Sequence, residues 1–340
     1  METEEIGSKE PAVFEDLLPK FTVAELGNLL GVTKDRAKQL IDEELAKDPT
    51  LDIVKGRSWD LGPETMRRIF QRRGVKFPVG KVGVIGVQKG GVGKTTLTTN
   101  VAVELGLLGF KVLLCDTDPE AHATNFLAGA DFDRKKAKVL YDAFKEQLHL
   151  KDIVHKSRFR GVDFIPSALR NFNFESVADS KNPSKVLRPK MDQFRDYNVI
   201  LLEVSPSLSV LSSACYLAAD LIAMPCTPDA YSLESLPLTI QSIREIGDTF
   251  DRPIPQDRFR IIYNNTREHQ TTQDGLKFLL ENYEDMLYPV YIKHSIEVVK
   301  CNNAGYPVAS SRPSEVRNQF RQIACLIGEL PLTGAQRGQA

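Results

Sequence analysis

Between Val84 and Thr96 the chain reads Val84-Ile85-Gly86-Val87-Gln88-Lys89-Gly90-Gly91-Val92-Gly93-Lys94-Thr95-Thr96, an apolar run that passes through glycines into a helix-forming stretch. Residues of these types in this order make a cradle for phosphate. The backbone N–H groups of Gly90, Gly91, Val92 and Gly93 can turn inward on phosphate oxygens, and the helix N-terminus adds partial positive charge. Lys94 is placed to reach the β- and γ-phosphates and Thr95 to ligate Mg2+, with Thr96 beside them. The alternative, a tight strand-to-helix link, does not account for strand, glycines, lysine and helix occurring together.

Two further strand ends carry carboxylates: Asp116 and Asp118 in Leu113-Leu114-Cys115-Asp116-Thr117-Asp118-Pro119-Glu120, and Glu203 in Leu201-Leu202-Glu203-Val204-Ser205-Pro206. Transfer of a γ-phosphoryl group to water needs a positioned water and little covalent help, so an acid at a strand end is useful beside a phosphate cradle. Such acids also cap helices or simply end strands, and spacing alone leaves both readings open.

The run Lys89-Gly90-Gly91-Val92-Gly93-Lys94-Thr95-Thr96 has Gln88 where the usual GxxxxGK[ST] pattern has its first glycine, and it gains Lys89. In this it resembles the deviant Walker A family of ATPases, specifically its ParA-type DNA-partition branch. The resemblance spans roughly residues 80 to 330. It implies that Lys89 crosses a dimer interface to the partner's nucleotide, that Asp118 orients the attacking water, and that Asp116 lies in the outer shell of Mg2+. Glu203 stands where the family has Asp, and Ser205 where it has the first Pro of D-x-P-P. A longer carboxylate near Mg2+ implies slow or differently tuned hydrolysis. Glu120 likewise replaces a Gln. The segment Met224 to Leu236 is similar to a loop near the family's dimer interface, and Ile261-Ile262-Tyr263-Asn264-Asn265 to the strand whose terminal Asn contacts adenine. Asn264 is preferred over Asn265 as base reader. The late segment Ile292 to Val308 completes the match.

Around these motifs, short apolar runs alternate with longer helical patterns. Strands are expected at Lys81 to Val87, Lys111 to Cys115, Val162 to Ile165, Asn198 to Val204, Leu221 to Pro225 and Phe259 to Tyr263. These runs lack period-2 alternation, as strands covered on both faces do. Helices follow most of them, for example Thr95 to Leu108 and Ser232 to Phe250. The fold class is therefore α/β, a doubly wound, mostly parallel sheet whose phosphate site lies beyond the carboxyl ends of the strands.

The front of the chain differs. Residues 1–54 hold 6 Lys/Arg against 13 Asp/Glu, while residues 55–76 hold 7 against 2. Thr22 with Glu25 makes a capping box, Val23, Leu26, Leu29 and Leu30 form an apolar face, Gly31 and Val32 turn, and Thr33 caps a second helix. That spacing suits a helix-turn-helix whose outward residues, Lys34, Arg36, Lys38 and Gln39, face a DNA groove. Leu51 to Leu61 resembles a hairpin wing tipped by Lys55, Gly56 and Arg57. A helix bearing Arg67, Arg68, Arg72 and Arg73 follows, so wing and helix together supply a basic cluster for DNA phosphates. A small helical dimerisation cap with solvated charges is the alternative. The expected division is 1–77 as a winged helix-turn-helix, 78–332 as the ATPase and 333–340 as a flexible tail.

The remaining features narrow the function classes. The 340 residues carry a formal net charge of −1, so contact with nucleic acid must come from local patches. The five cysteines are far apart with no CxxC pair, which argues against a disulfide framework or a zinc site. The N-terminus lacks an apolar signal region, and the longest apolar stretch, Leu201 to Met224, is interrupted by Glu203, Pro206 and Asp220. The expectation is a cytoplasmic, nucleoid-associated homodimer that uses ATP and Mg2+ and works with DNA and a ParB-type partner. A nucleotide-sensing transcriptional repressor with vestigial hydrolysis is the alternative. A MinD-like membrane ATPase would need an anchoring helix at the polar C-terminus.

Overall fold

The structure is a computed structural model that describes residues 18–56, 59–179 and 181–331. Arg57 and the expected tail at 333–340 lie outside the described residues. The front segment comprises helices α1 (Val23–Leu30) and α2 (Lys34–Leu45), the antiparallel pair β1 (Ile53–Val54) and β2 (Asp60–Leu61), and helix α3 (Pro63–Arg72). Thr22 and Glu25 form the expected reciprocal cap on α1, Gly31 ends it at a φ of 65°, and Thr33 caps α2. Gly62 offers α3 no side-chain cap, and Asp52 supplies one from across the hairpin by accepting from the N–H and hydroxyl of Thr65.

An eight-stranded sheet follows, in the order β10-β9-β8-β3-β7-β4-β6-β5. Its strands are β3 (Lys81–Ile85), β4 (Val112–Asp116), β5 (His155–Lys156), β6 (Val162–Ile165), β7 (Val199–Glu203), β8 (Leu221–Cys226), β9 (Phe259–Thr266) and β10 (Ile292–Lys293). Every pair is parallel except β5 with β6. Alternate residues of each central strand enter two separate cores: Val112, Leu114, Val199 and Leu201 on one face, Leu113, Cys115, Ile200 and Leu202 on the other. That is why the sequence runs are apolar throughout.

The connecting helices are α4 (Lys94–Leu107), α5 (His122–Leu127), α6 (Leu140–Lys145), α7 (Arg188–Met191), α8 (Val210–Ala218), α9 (Ala230–Thr249), α10 (Gln270–Tyr283), α11 (Ile296–Asn303) and α12 (Glu315–Ile327). Helix α4 leaves β3 and returns to β4 beyond β7, whereas β8 lies on the other side of β3. The order in which strands are added reverses at β3, and the loop after that strand opens at this switch point.

One of the two cores also contains the front segment. Phe21, Leu26, Ile41, Met66 and Ile69 share it with Leu97, Val101 and Leu105 of α4 and Phe320 and Ile323 of α12. Phe77, between α3 and β3, stacks edge-on against Phe110 at 4.7 Å. A buried ionic network crosses the same contact: Glu25 accepts from Arg317 at 2.8 Å and Arg321 at 3.1 Å, and Arg321 also donates to Glu104 of α4 at 2.8 Å. Among the described residues, no helix is long and apolar enough to cross a membrane.

Candidate nucleotide site

The phosphate loop, residues 86–93, leaves β3 and ends at Gly93, which caps α4 at a φ of 86°. This left-handed backbone costs a side-chain-bearing residue, and a Cβ there would also meet Asn264 Nδ2 at 2.7 Å. By contrast, a Cβ on Gly90 or Gly91 would meet nothing within 4 Å. These two glycines border open space where a phosphate chain can lie. Lys94 is only 8% exposed, and its Nζ donates to the carbonyl of Lys89 at 2.9 Å. Burial lowers the pKa of this ammonium, and Asp118, Glu203 and Glu120 only partly restore it. An anion in the loop would complete that compensation.

The acids converge beside Lys94. Parallel pairing of β4 with β7 puts Asp116 opposite Glu203 in register. Asp116 is fully buried and accepts from the N–H and hydroxyl of Thr124 at 2.8 and 2.7 Å, and from the N–H of Asp118 at 3.1 Å. Burial and the Asp118 charge push it up to about 6 against the Thr124 hydrogen bonds. Burial, then the Asp116 charge, raises Glu203 well above the carboxylate range. Its Oε1 accepts from the Thr95 hydroxyl, while Oε2 is buried with no partner. Gln88 Nε2, at the substituted glycine position, is likewise buried and unpartnered.

Two crowded carboxylates, one with an orphan oxygen, beside a threonine hydroxyl form a hard oxygen donor set that suits Mg2+. Among the described residues no group of three or more His, Cys, Asp or Glu could hold a metal ion. Mg2+ fits such a site because it is commonly bound by one or two protein groups together with substrate phosphates.

Lys89 is turned toward its own chain, with Nζ 2.5 Å from Asp229 Oδ1. Asp229 is the N-cap of α9 and also accepts from the Thr227 hydroxyl at 2.5 Å. Burial opposes its ionisation, but Lys89, Thr227 and Ser232 hold its carboxyl below the usual range. At the other end of the loop a cavity of about 260 Å³ is lined by Gly91, Gly93, Thr96, Asn264, Asn265 and His294. Asn264 Nδ2 donates to the carbonyl of Val92 at 2.8 Å, whereas Asn265, at a φ of 58°, lies 2.8 Å from His294 Nδ1 through its Oδ1. A larger hollow of about 650 Å³, beside edge strand β5, contains none of these residues.

The structure thus brings Lys94, Thr95, Asp116, Asp118 and Glu203 together and puts Thr96 and Asn264 in the adjoining cavity. Sequence reasoning noted Gln88 only as a departure from the glycine pattern, and it missed Asp229 and Asn302, whose Nδ2 donates to Thr96 Oγ1 at 2.9 Å. The signal for Asp229 was its position as the acid before a helix, three residues ahead of Ser232.

The basic front residues divide. Lys34, Arg36, Lys38 and Lys55 are exposed, and the Nζ atoms of Lys38 and Lys55 each lie over the Trp59 ring, 5.3 and 5.0 Å from its centroid. The arginines of α3 do not form the expected free cluster. Arg72 pairs with Glu43 and Glu44, Arg68 with Asp48 and Glu64, and Arg67 donates to Asn198 at 2.7 Å. Glu43, Glu44 and Asp48 thus neutralise Arg68 and Arg72 across the packing of α2 and α3.

An AAA domain family matches residues 80–255. The chain is 28% identical over 308 residues to the cell division protein PomZ of Myxococcus xanthus, covering 87% of this chain and 88% of that one. It is 26% identical over 232 residues to the chromosome partitioning protein ParA of Caulobacter vibrioides, covering 67% and 86%. An ATP complex of McdA from Cyanothece has the same fold, with a TM-score of 0.64 at 20% identity over 74% of this chain and 98% of that one. With a phosphate loop, its buried acids and this sheet order in one place, the chain belongs to the AAA domain family as an ATPase of the ParA type.

Proposed function

We propose that this chain is a DNA-partition ATPase that uses ATP and Mg2+ to switch between a monomer and a homodimer closed over the phosphate face. The observation that carries the reading is the convergence of buried Lys94, open Gly90 and Gly91, and the Asp116–Glu203 acid pair at the carboxyl end of β3. Lys94 and the N–H groups of Gly90, Gly91, Val92 and Gly93 hold the triphosphate, with Asn264 against the base. Thr95, with Asp116 and Glu203 nearby, would hold Mg2+, which would supply neutralisation of phosphate charge. Asp118 orients the attacking water. Lys89 exchanges Asp229 for the phosphates of a second copy.

Dimer formation is supported by exposed apolar side chains after the strand ends on the same side of the sheet as the phosphate loop. Leu169 and Phe172 follow β6, Leu208 follows β7, and Tyr231 follows β8. Residues 1–77 act as a winged helix-turn-helix that contacts DNA through Lys34, Arg36, Lys38, Lys55 and Arg57, residues 78–332 as the ATPase, and a ParB-type partner stimulates hydrolysis. The paired position of Lys38 and Lys55 supports the DNA contact.

Filter binding to random DNA with and without ATP, in wild type and Lys94→Ala, tests the proposal. Wild type gains random-DNA affinity with ATP, and Lys94→Ala binds no ATP and shows no gain. ATP binding by Lys94→Ala at wild-type affinity would refute the nucleotide reading. A second reading, a nucleotide-sensing repressor with vestigial hydrolysis, is favoured by the direct Thr95–Glu203 contact at the substituted acid. It requires operator binding with no ATP-dependent gain on random DNA.

A further inference from the structure

Thr95 and Thr96 are neighbours on the first turn of α4, yet their hydroxyls are engaged in opposite senses. A threonine hydroxyl has one hydrogen to give and two lone pairs to accept with. Thr95 gives its hydrogen to Glu203 Oε1, which leaves lone pairs for a cation. Thr96 does the reverse, because its Oγ1 accepts from Asn302 Nδ2 at 2.9 Å.

The Thr96 hydrogen is then unspent within the described residues. Two other threonines of α4 direct theirs to the carbonyl four residues back, Thr98 to Lys94 and Thr99 to Thr95, each at 2.8 Å. For Thr96 that carbonyl belongs to Val92, which accepts from Asn264 Nδ2 at 2.8 Å and receives no bond from Thr96 Oγ1. Thr96 also lines the cavity beside Gly91 and Gly93.

Asn302 is exposed and comes to this contact from another helix. It sits on α11, 206 residues away in sequence. The segment after α11 is tied to α4 through Asn100, whose Oδ1 accepts from the N–H of Val308 at 2.7 Å while its Nδ2 donates to the carbonyl of Thr96 at 2.8 Å.

We propose that Asn302 is a positioning residue that makes the Thr96 hydroxyl a hydrogen-bond donor to a nucleotide phosphate oxygen, the opposite of what Glu203 does to Thr95. The inference rests on the nucleotide reading above and adds a residue that no phosphate-loop pattern contains. Adjacent hydroxyls of one helical turn are thereby sorted, one for the metal and one for the anion.

Titration calorimetry with Mg2+–ADP tests it without hydrolysis. Asn302→Ala should weaken binding by about fivefold, and Thr96→Val by about tenfold, as expected for a lost hydrogen bond to a charged group. In the Thr96→Val background, Asn302→Ala should have no further effect beyond about twofold, because the two residues act as one unit. In the Thr96→Ser background, which keeps the hydroxyl, Asn302→Ala should retain its full effect.

An Asn302→Ala loss of equal size with and without the Thr96 hydroxyl overturns the proposal, as does wild-type affinity in either single variant. Failure of the underlying nucleotide reading has a separate signature, wild-type Mg2+–ADP affinity in Lys94→Ala.

Discussion

Lys89 and Asp229 form an ion pair within one chain, Nζ to Oδ1 at 2.5 Å, with side chains 26% and 47% exposed. At that exposure the pair contributes only about 0.2–1 kcal/mol, so a partner's phosphates can displace it readily. Lys89→Ala should retain ATP binding and lose ATP-dependent dimers by light scattering. Asp229→Asn keeps a good helix cap for α9 while removing the charge, and should dimerise at lower ATP concentration. A Lys89→Ala protein that dimerises normally would remove the cross-interface role.

Asp118 is half-buried beside Asp116, and its Oδ1 accepts from the N–H of Glu120 at 3.0 Å. Asp118→Ala should still dimerise on ATP, with phosphate release reduced about 100-fold or more, the range for a lost water-orienting acid. Turnover at the wild-type rate would take Asp118 out of the mechanism.

The buried acids beside the phosphate loop set a pH dependence for the nucleotide-free protein. Asp116 titrates at about 6 when folded, against about 3.9 in an unfolded chain, so the folded state holds its proton more tightly. Stability of the nucleotide-free protein is then favoured below the unfolded value and falls as pH rises from about 4 to 6. Glu203, raised in the same direction, extends that loss to higher pH. Glu203→Gln should raise the melting temperature at pH 7.5 and flatten its fall above pH 5. Melting curves of the two proteins that run parallel across this range would contradict the account.

Arg321 connects the front segment to α4 through Glu25 and Glu104, with all three side chains under 10% exposed. Removing one member of a buried network leaves charge unpaired, and Arg321→Leu should cost about 3–5 kcal/mol in urea unfolding. A loss under about 1 kcal/mol would mean that the network is solvated in solution.

Much of the fold was legible because its central strands are buried on both faces and so appear as apolar runs, broken only by single polar residues such as Asp163 in β6 and Arg260 in β9; β3, β4, β6, β7, β8 and β9 fall where those runs lie. The two-residue strands β5 and β10 are too short to carry a period. Lys94, Thr95, Asp116 and Asp118 were visible because their spacing follows from one turn or one strand end. Asp229 and Asn302 were not, since they reach the phosphate loop from 140 and 206 residues away, a closeness only the tertiary fold creates. The basic face read into α3 failed for a related reason. Its neutralising acids, Glu43, Glu44 and Asp48, lie on or just after the preceding helix, and charge counting along the chain cannot see across two packed helices.

The core that Phe21, Leu26 and Met66 share with Leu97 and Val101 bears on how the protein can be dissected. Cutting after residue 77 would lay bare the greasy face of the helix that begins at Lys94 and leave Arg321 without Glu25. A truncated product that fails to hydrolyse ATP would therefore report a damaged scaffold, not a missing DNA reader. Point changes at Lys34, Lys38 and Lys55, which leave that seam intact, are the sound way to separate the two halves' duties.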